Sequence, residues 1–414
     1  MTASTHSLRV VAQAALVGAL VALPVVPRAQ SATAGQGGPP VFRAATELVL
    51  VNVVARDKAG QIVRGLTRDD FTITEDTRPQ SISTFDFEEL EQVDTAPDAP
   101  VAQVLTPRLA PAATVAPLPS RATVDLHGRR LMVFYFDLAS MQPEEIQRSV
   151  QAAHDYVEHS LAPADLVAIA SFSTTISVEQ DFTADRAQLL GVLDRLAGVG
   201  GQGFEEGGTG DSEGTPDTGA AFTADDSEFN LFSTDRRLEA LESLSDALAP
   251  IEQKKSVIYF SSGMSQQGAD NQVLLRRMTD RAVRANVSIY ASDMRGLQAM
   301  VPGGDATQAS QRGSAPFSGA SVGTQFNRLA SSQDTLATIA EDTGGRAFFD
   351  ANRFDDVFTR VVHDTAAYYV LAYSSTNAAR DGRFRRIRVS VKRPDLKLEY
   401  RSGYYAGRDF AHSN

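Results

Sequence analysis

Residues 130–141 have the sequence RLMVFYFDLASM. Positions 131–136 are apolar without interruption and include three aromatic side chains and one β-branched valine. Such a run is typical of a central strand that is buried on both faces of a parallel sheet. Asp137 follows the run directly, so the predicted strand carries a carboxylate to the carboxyl edge of the sheet. Open α/β sheets bind their ligands at that edge.

A helix is predicted immediately after this strand. Pro143 suits the first helical position, and the next two residues, both glutamates, favour the positive end of a helix. The apolar face of the predicted helix consists of Ile146, Val150, Ala153, Val157 and Leu161. The order strand, carboxylate, helix therefore predicts the core unit of a doubly wound α/β domain.

The same alternation continues along residues 129–366 and predicts a mostly parallel sheet with helices on both faces. Two segments inside this domain are predicted to be loops, an acidic one at 200–230 and a Gly/Ser-rich one at 295–331. The other predicted strands lie at 165–172, 176–178, 256–260, 287–291 and 346–349, and the other predicted helices at 184–196, from Thr234 to 248, and at 271–284, 333–342 and 354–366.

Both flanks of the α/β domain have the alternating pattern of β-strands. The N-terminal β module spans residues 41–90, and a C-terminal β extension of three predicted strands spans 367–405. A module of the first size rarely buries enough surface to fold alone. We therefore expect 46–88 and 368–402 to pack together as one flanking all-β domain. Residues 91–128 are rich in proline and alanine and are predicted to be an extended linker.

Composition limits the classes of partner. The chain has 414 residues and a formal net charge of −12, which disfavours nucleic acids and anionic membranes because both would repel it. It contains no cysteine, which excludes disulfides and thiolate metal sites.

Residues 1–30 have the layout of a secretory signal peptide. Arg9 precedes an apolar run, two prolines follow, and small residues surround a cleavage site expected within 29–34. An uncleaved membrane anchor is the alternative, since the run nearly suffices to cross a bilayer. We expect an exported protein, periplasmic or extracellular, with no membrane span in the mature chain.

The α/β part resembles a von Willebrand factor type A (VWA) domain, which has the architecture of an integrin I domain. The chain also resembles, more narrowly, a secreted VWA-related family frequent in Acidobacteria. The residues that carry the wider likeness are 131–141, 165–172 and 257–264, and those that carry the narrower one are 368–373 and 401–405.

The resemblance implies a metal-ion-dependent adhesion site at the carboxyl edge of the sheet. Such sites hold Mg²⁺ through Asp-x-Ser-x-Ser, a loop threonine and a second aspartate after the fourth strand. This sequence keeps the first aspartate, places Ser140 out of phase with the serine pattern and has a serine where the second aspartate is usual. The candidate metal ligands are Asp137, Ser140, Thr234 and Ser261.

One carboxylate with a few hydroxyls holds Mg²⁺ weakly, so a degenerate site for Mg²⁺, Mn²⁺ or Ca²⁺ without a tightly bound ion is expected. Two structural alternatives remain open. Asp137 would accept backbone N–H bonds in its loop, and Thr234 would be the N-cap of a helix.

No catalytic residue is predicted. The glycine pattern at 198–203 follows a helix and precedes two glutamates, so it does not indicate a dinucleotide site. No H-E-x-x-H motif occurs. The serines around Gly263 do not form a G-x-S-x-G nucleophile elbow, because the serine of that motif needs glycine on both flanks. The sequence thus favours a non-enzymatic protein that binds a protein or cell-surface ligand through the loops after Phe136, Phe260 and Ala291. The alternative is a structural or assembly component of the cell envelope with no metal or ligand at that edge.

Overall fold

The computed structural model describes residues 48–90, 104–109, 126, 128–199, 226–265, 268–296, 320–349 and 354–407. The predicted signal peptide, residues 200–225 of the acidic loop and residues 297–319 of the Gly/Ser-rich loop lie outside these ranges. All the described elements belong to the unit Thr46–Asn414. Of the helices in the described part, none is long and apolar enough to span a membrane.

The described chain contains strands and helices in alternation, flanked by strands at both ends. The strands are β1 Leu48–Arg56, β2 Phe71–Glu75, β3 Arg78–Gln80, β4 Ile82–Glu89, β5 Arg130–Asp137, β6 Asp165–Phe172, β7 Ile176–Thr183, β8 Lys255–Ser261, β9 Val287–Asp293, β10 Ala347–Phe348, β11 Ala367–Ser374, β12 Phe384–Val391, β13 Lys397–Glu399 and β14 Gly403–Tyr405. The helices are α1 Thr106–Leu109, α2 Pro143–His159, α3 Arg186–Ala197, α4 Asp226–Leu248, α5 Gly268–Arg284, α6 Ala320–Thr343 and α7 Asp356–Thr365.

The central sheet has six strands in the order β10-β9-β8-β5-β6-β7. Strand β5 lies between β6 and β8 and is parallel to both, and only the edge strand β7 runs antiparallel. Counted along the chain, the order is 3-2-1-4-5-6, which is a doubly wound arrangement with its switch point beside β5. The predicted mixed α/β class with a largely parallel sheet is confirmed.

Strand β5 has a core on each of its faces because its side chains alternate. Leu131, Val133 and Tyr135 belong to the core that includes residues of α4, α5 and α6. Met132, Phe134 and Phe136 belong to the core that includes residues of α2, α3 and α7. All eight residues of β5 are buried, as expected of a strand covered by helices on both sides.

Two four-stranded antiparallel sheets flank the α/β part, in the orders β13-β1-β11-β4 and β14-β12-β2-β3. Strand β11 lies between β1 and β4, and β12 pairs with β2, so the N-terminal and C-terminal segments share both sheets. The expected contact between 46–88 and 368–402 is therefore present. The tail contains four strands rather than three. Strand β13 pairs with β1, and Leu396 and Leu398 pack against the shared apolar core.

Two helices begin earlier than the sequence indicated. Helix α4 starts at Asp226, so the last residues of the predicted acidic loop are helical and Thr234 lies inside the helix. Helix α6 starts at Ala320, inside the predicted Gly/Ser-rich loop. Neither added stretch contains proline, so backbone hydrogen bonds can extend outward from the buried turns.

Part of the predicted linker is packed structure, which corrects the expectation for 91–128. Leu105 is fully buried in the core below α4, and α1 follows it. Asp181 on the edge strand β7 accepts N–H bonds from Val104, Leu105 and Thr106 at 2.9–3.0 Å. A single carboxylate thus fixes the first turn of α1, where backbone N–H groups have no helical partner.

We expect Asp181→Asn to lower the free energy of unfolding by about 1–3 kcal/mol, because hydrogen bonds to a charged acceptor are lost. Chemical denaturation measures this, and proteolysis should cut near residues 104–109 faster in the variant. Asp194→Asn is the control, since that side chain is 72% exposed, and it should change stability by about 0.5 kcal/mol or less. Equal stability of the two variants would mean that Asp181 does not hold the segment.

Candidate functional site

The carboxyl edge of the central sheet brings together the ends of β5 and β8. Asp137 is the last residue of β5, and Ser261 is the last residue of β8. Since strand side chains alternate, Asp137 shares the face of Tyr135, and Ser261 shares the face of Tyr259. Tyr135 and Tyr259 stack with ring centroids 5.5 Å apart in the core that contains α4. The edge thus presents a carboxylate and hydroxyls to α4.

Helix α4 places Arg237 against these groups. Its Nε donates to Asp137 Oδ2 over 2.6 Å, and its Nη2 donates to Ser261 Oγ over 2.9 Å and to the Gly263 carbonyl. Tyr259 donates its hydroxyl to the same Asp137 Oδ2 over 2.6 Å. The guanidinium therefore lies between the ends of two neighbouring parallel strands and binds both.

The pair is fully enclosed: the exposure is 0% for Asp137 and 5% for Arg237. Burial disfavours the guanidinium charge, but the contacts with Asp137 and Tyr259 together outweigh this cost and hold the pKa of Arg237 above its ordinary value. Burial raises the pKa of Tyr259, so its hydroxyl stays protonated as a donor. The centre is an ion pair enclosed within the protein.

The other predicted metal ligands form hydrogen bonds with backbone groups of loops at this edge. Ser140 donates its hydroxyl to the Asp137 carbonyl over 3.2 Å and accepts a bond from the Ser262 N–H over 3.2 Å. The Ser140 N–H lies 3.3 Å from Asp137 Oδ1, which matches the structural alternative for that carboxylate. Thr234 donates to the Ser265 carbonyl over 2.9 Å from inside α4, so its interpretation as an N-cap is wrong.

The arrangement does not fit a divalent cation. Mg²⁺ needs six oxygen ligands at about 2.1 Å in octahedral array. Here Asp137 Oδ2 accepts hydrogen bonds from Arg237 and Tyr259, and the guanidinium also binds Ser261. Within the part of the chain that the structure describes, no group of three or more Asp, Glu, His or Cys side chains is placed to hold a metal.

Two further carboxylates at this edge are also bound within the chain. Asp293 ends β9, and its oxygens accept bonds from Arg295 at 2.7 and 2.9 Å. Glu145 in the first turn of α2 accepts a bond from Ser262 over 2.5 Å, and burial raises the pKa of this carboxyl. Every one of these three carboxylates has a cation or a hydroxyl donor as its direct partner.

Sequence reasoning missed Arg237 and Tyr259. A signal for the arginine was present, because residues 237, 241, 244 and 248 recur at helical spacing and the last three are leucines in the core. A charged residue on an apolar stripe needs a buried partner. The sequence pattern predicts only a strand position for Tyr259, although a buried phenol also needs a partner for its hydroxyl.

No protein-family model matches the chain, and no curated protein matches it either. Solved structures similar to it include an aerotolerance-related membrane protein from Bacteroides fragilis, at 11% identity over 56% of this chain and 98% of that chain, with a TM-score of 0.32. The conserved hypothetical protein BatB from Bacteroides thetaiotaomicron is similar at 12% identity over 57% and 98%, with a TM-score of 0.33.

Proximal thread matrix protein 1 from the mussel byssus, solved with a zinc-occupied MIDAS motif, is similar at 12% identity over 57% of this chain and 48% of that chain, with a TM-score of 0.32. Because the TM-scores of all three structures lie below 0.5, these likenesses carry no argument about function.

Proposed function

We propose that the chain is a non-enzymatic binding protein with a VWA-like domain whose carboxyl edge works without a metal ion. The observation that supports this is the ion pair between Arg237 and Asp137, which supplies from within the chain the positive charge that a metal would bring. Asp137, Asp293 and Glu145 all have internal partners, so none of them is free to act as a catalytic base. What the edge offers a partner is a preformed surface.

The partner in this proposal is a protein or cell-surface ligand outside the cytoplasm. The apolar N-terminal segment with its small-residue exit supports export. Phe326 supports a contact surface near the edge, because it is 60% exposed on α6, six residues before Ser332, which accepts a bond from Arg295. Large exposed aromatic side chains are enriched where proteins bind one another.

Capture of partners from culture supernatant and envelope extracts on the immobilised protein tests the proposal. We expect a reproducible partner whose yield falls at least tenfold with Phe326→Ala and stays unchanged with Leu48→Ala. Leu48 is a matched control, since it is 52% exposed at the start of β1. Equal loss in both variants, or no specific capture, would count against a contact surface at the edge.

The metal-free property has its own test. Titration of Mg²⁺, Mn²⁺ and Ca²⁺ into the protein should give no saturable heat, and EDTA should leave partner capture unchanged, because Arg237 already neutralises Asp137. A saturable heat that disappears in Asp137→Asn would show that a metal does bind at this carboxylate.

A structural or envelope-assembly role is the second candidate. The observation that favours it is the enclosure of the edge, where Asp137, Ser261 and Arg237 are all at most 5% exposed. Sedimentation of envelope fractions separates the two candidates. An assembly component should remain with the envelope in high salt, whereas a binding protein should be released with a discrete partner.

A further inference from the structure

A cavity of about 650 Å³ lies at the opposite end of the central sheet from Asp137. One wall is β1, which contributes Leu50 and Asn52. The other wall is the amino end of the parallel strands, where Lys254 precedes β8 and Val287 begins β9. The cavity is thus formed where a flanking β-sheet meets the α/β part. Its volume lies in the range of small-molecule pockets.

The lining is positively charged although the chain as a whole is acidic. Six lining residues are lysines or arginines and three are acidic. Two of the acidic residues, Asp364 and Glu399, are already bound by Arg360 at 2.9 and 2.7 Å. Four lining cations have no carboxylate within 4 Å among the described residues: Lys254, Arg386, Arg388 and Arg401.

Two of these four cations are buried. Arg401 is 9% exposed, and its Nη2 donates to the Leu50 carbonyl over 2.5 Å, while its Nε has no hydrogen-bond partner within the described structure. Lys254 is also 9% exposed, and its ammonium lies 5.3 Å from the ring centroid of Tyr368. Buried cations normally have an anionic partner, since burial removes their hydration.

The loss of hydration on burial lowers the pKa of both cations. Burial lowers the pKa of Arg401 from 12.5 to about 10 and lowers the pKa of Lys254 below its ordinary value. An anion in the cavity would oppose both shifts, because a nearby negative charge favours the protonated form. Arg386 and Arg388 are exposed at the mouth of the cavity, where they would attract the same anion.

We propose that this cavity binds a small molecule with at least two carboxylate or phosphate groups, held by Arg401 and Lys254 inside and attracted by Arg386 and Arg388 at the rim. Guanidinium and ammonium groups bind such oxyanions through charge-assisted hydrogen bonds. Because the ligand would contact both the β-sheet and the α/β part, its binding would stabilise their junction.

Calorimetric titration with citrate, pyrophosphate and inorganic phosphate tests this, with ionic strength held at 0.15 M by NaCl. We expect saturable one-site binding of citrate or pyrophosphate, with weaker binding of inorganic phosphate. Lys254→Met and Arg401→Gln should each raise Kd at least tenfold, and Arg388→Gln should raise it about threefold. Kd should also rise at higher salt, since salt screens the exposed charges of the rim.

Arg383→Gln is the matched control, since that side chain is 82% exposed and does not line the cavity. Its Kd should equal that of the unchanged protein. Circular dichroism identifies any variant that fails to fold. If Lys254→Met and Arg401→Gln both fail to fold, the exposed Arg388→Gln variant still tests the proposal. No saturable binding of any of the three anions, or equal weakening by Arg383→Gln, would overturn the proposal.

Discussion

Arg237→Met is expected to lower the free energy of unfolding by about 3–5 kcal/mol, because it leaves the Asp137 carboxylate buried without its cation. In the native chain the two groups are 2.6 Å apart, and neither is more than 5% exposed. Chemical denaturation at pH 7 measures the change. Arg236→Met is the matched control one residue away on the exposed side of α4, and it should cost about 0.5 kcal/mol or less.

A double-mutant cycle isolates the ion pair from packing. Asp137→Asn removes the charge that Arg237→Met leaves unpaired, so the double variant should recover at least half of the loss. The two single losses should therefore sum to more than the loss in the double variant, as expected of directly contacting groups. Additive losses would show that the guanidinium contributes only packing and bonds to Ser261 and Gly263.

Lys255→Met is expected to stabilise the protein by about 3 kcal/mol at pH 7. Lys255 is fully buried at the start of β8, its ammonium donates to the Ile251 carbonyl over 2.5 Å, and burial lowers its pKa from 10.5 to about 7. Between about pH 7 and pH 10.5, Lys255 keeps its proton in the unfolded chain but has released it in the folded chain. Stability of the native chain therefore rises with pH over this window, by about 1.4 kcal/mol per pH unit from this group.

Methionine removes the ionisable group, so the advantage of the variant should be constant below pH 7 and should shrink as the pH approaches 10. Urea denaturation between pH 6 and 10 measures the difference between the two proteins. Lys58→Met, at an exposed turn position, should leave the pH dependence unchanged. A stability difference that is independent of pH across this range would rule out the low pKa of Lys255.

The sequence located the central strand and its carboxylate because both depend on local pattern. Residues 131–136 are apolar without a break, and Asp137 stands where that pattern ends. The partner of this carboxylate is 100 residues further along the chain, on a helix whose position over the sheet no local pattern specifies. The metal site is implied by the resemblance alone.

Composition misled the assignment of segments at 104–109, 226–230 and 320–331. The sequence around each segment is rich in proline, glycine or acidic residues, and such composition indicates linkers and loops. What orders Leu105 is the distant Asp181, and the start of α4 extends a helix that is anchored by its later leucines. A short stretch of sequence reveals neither a contact with a distant residue nor the cooperative extension of a helix.

Diffraction from crystals of the full chain grown with Mn²⁺, collected with anomalous signal at the manganese edge, tests whether Arg237 or a metal ion neutralises Asp137. The account predicts guanidinium density between Asp137 and Ser261, with no manganese peak within about 2.5 Å of the Asp137 carboxylate. A manganese peak bonded to that carboxylate, with Arg237 displaced from it, would contradict the claim that the chain supplies its own cation at this edge.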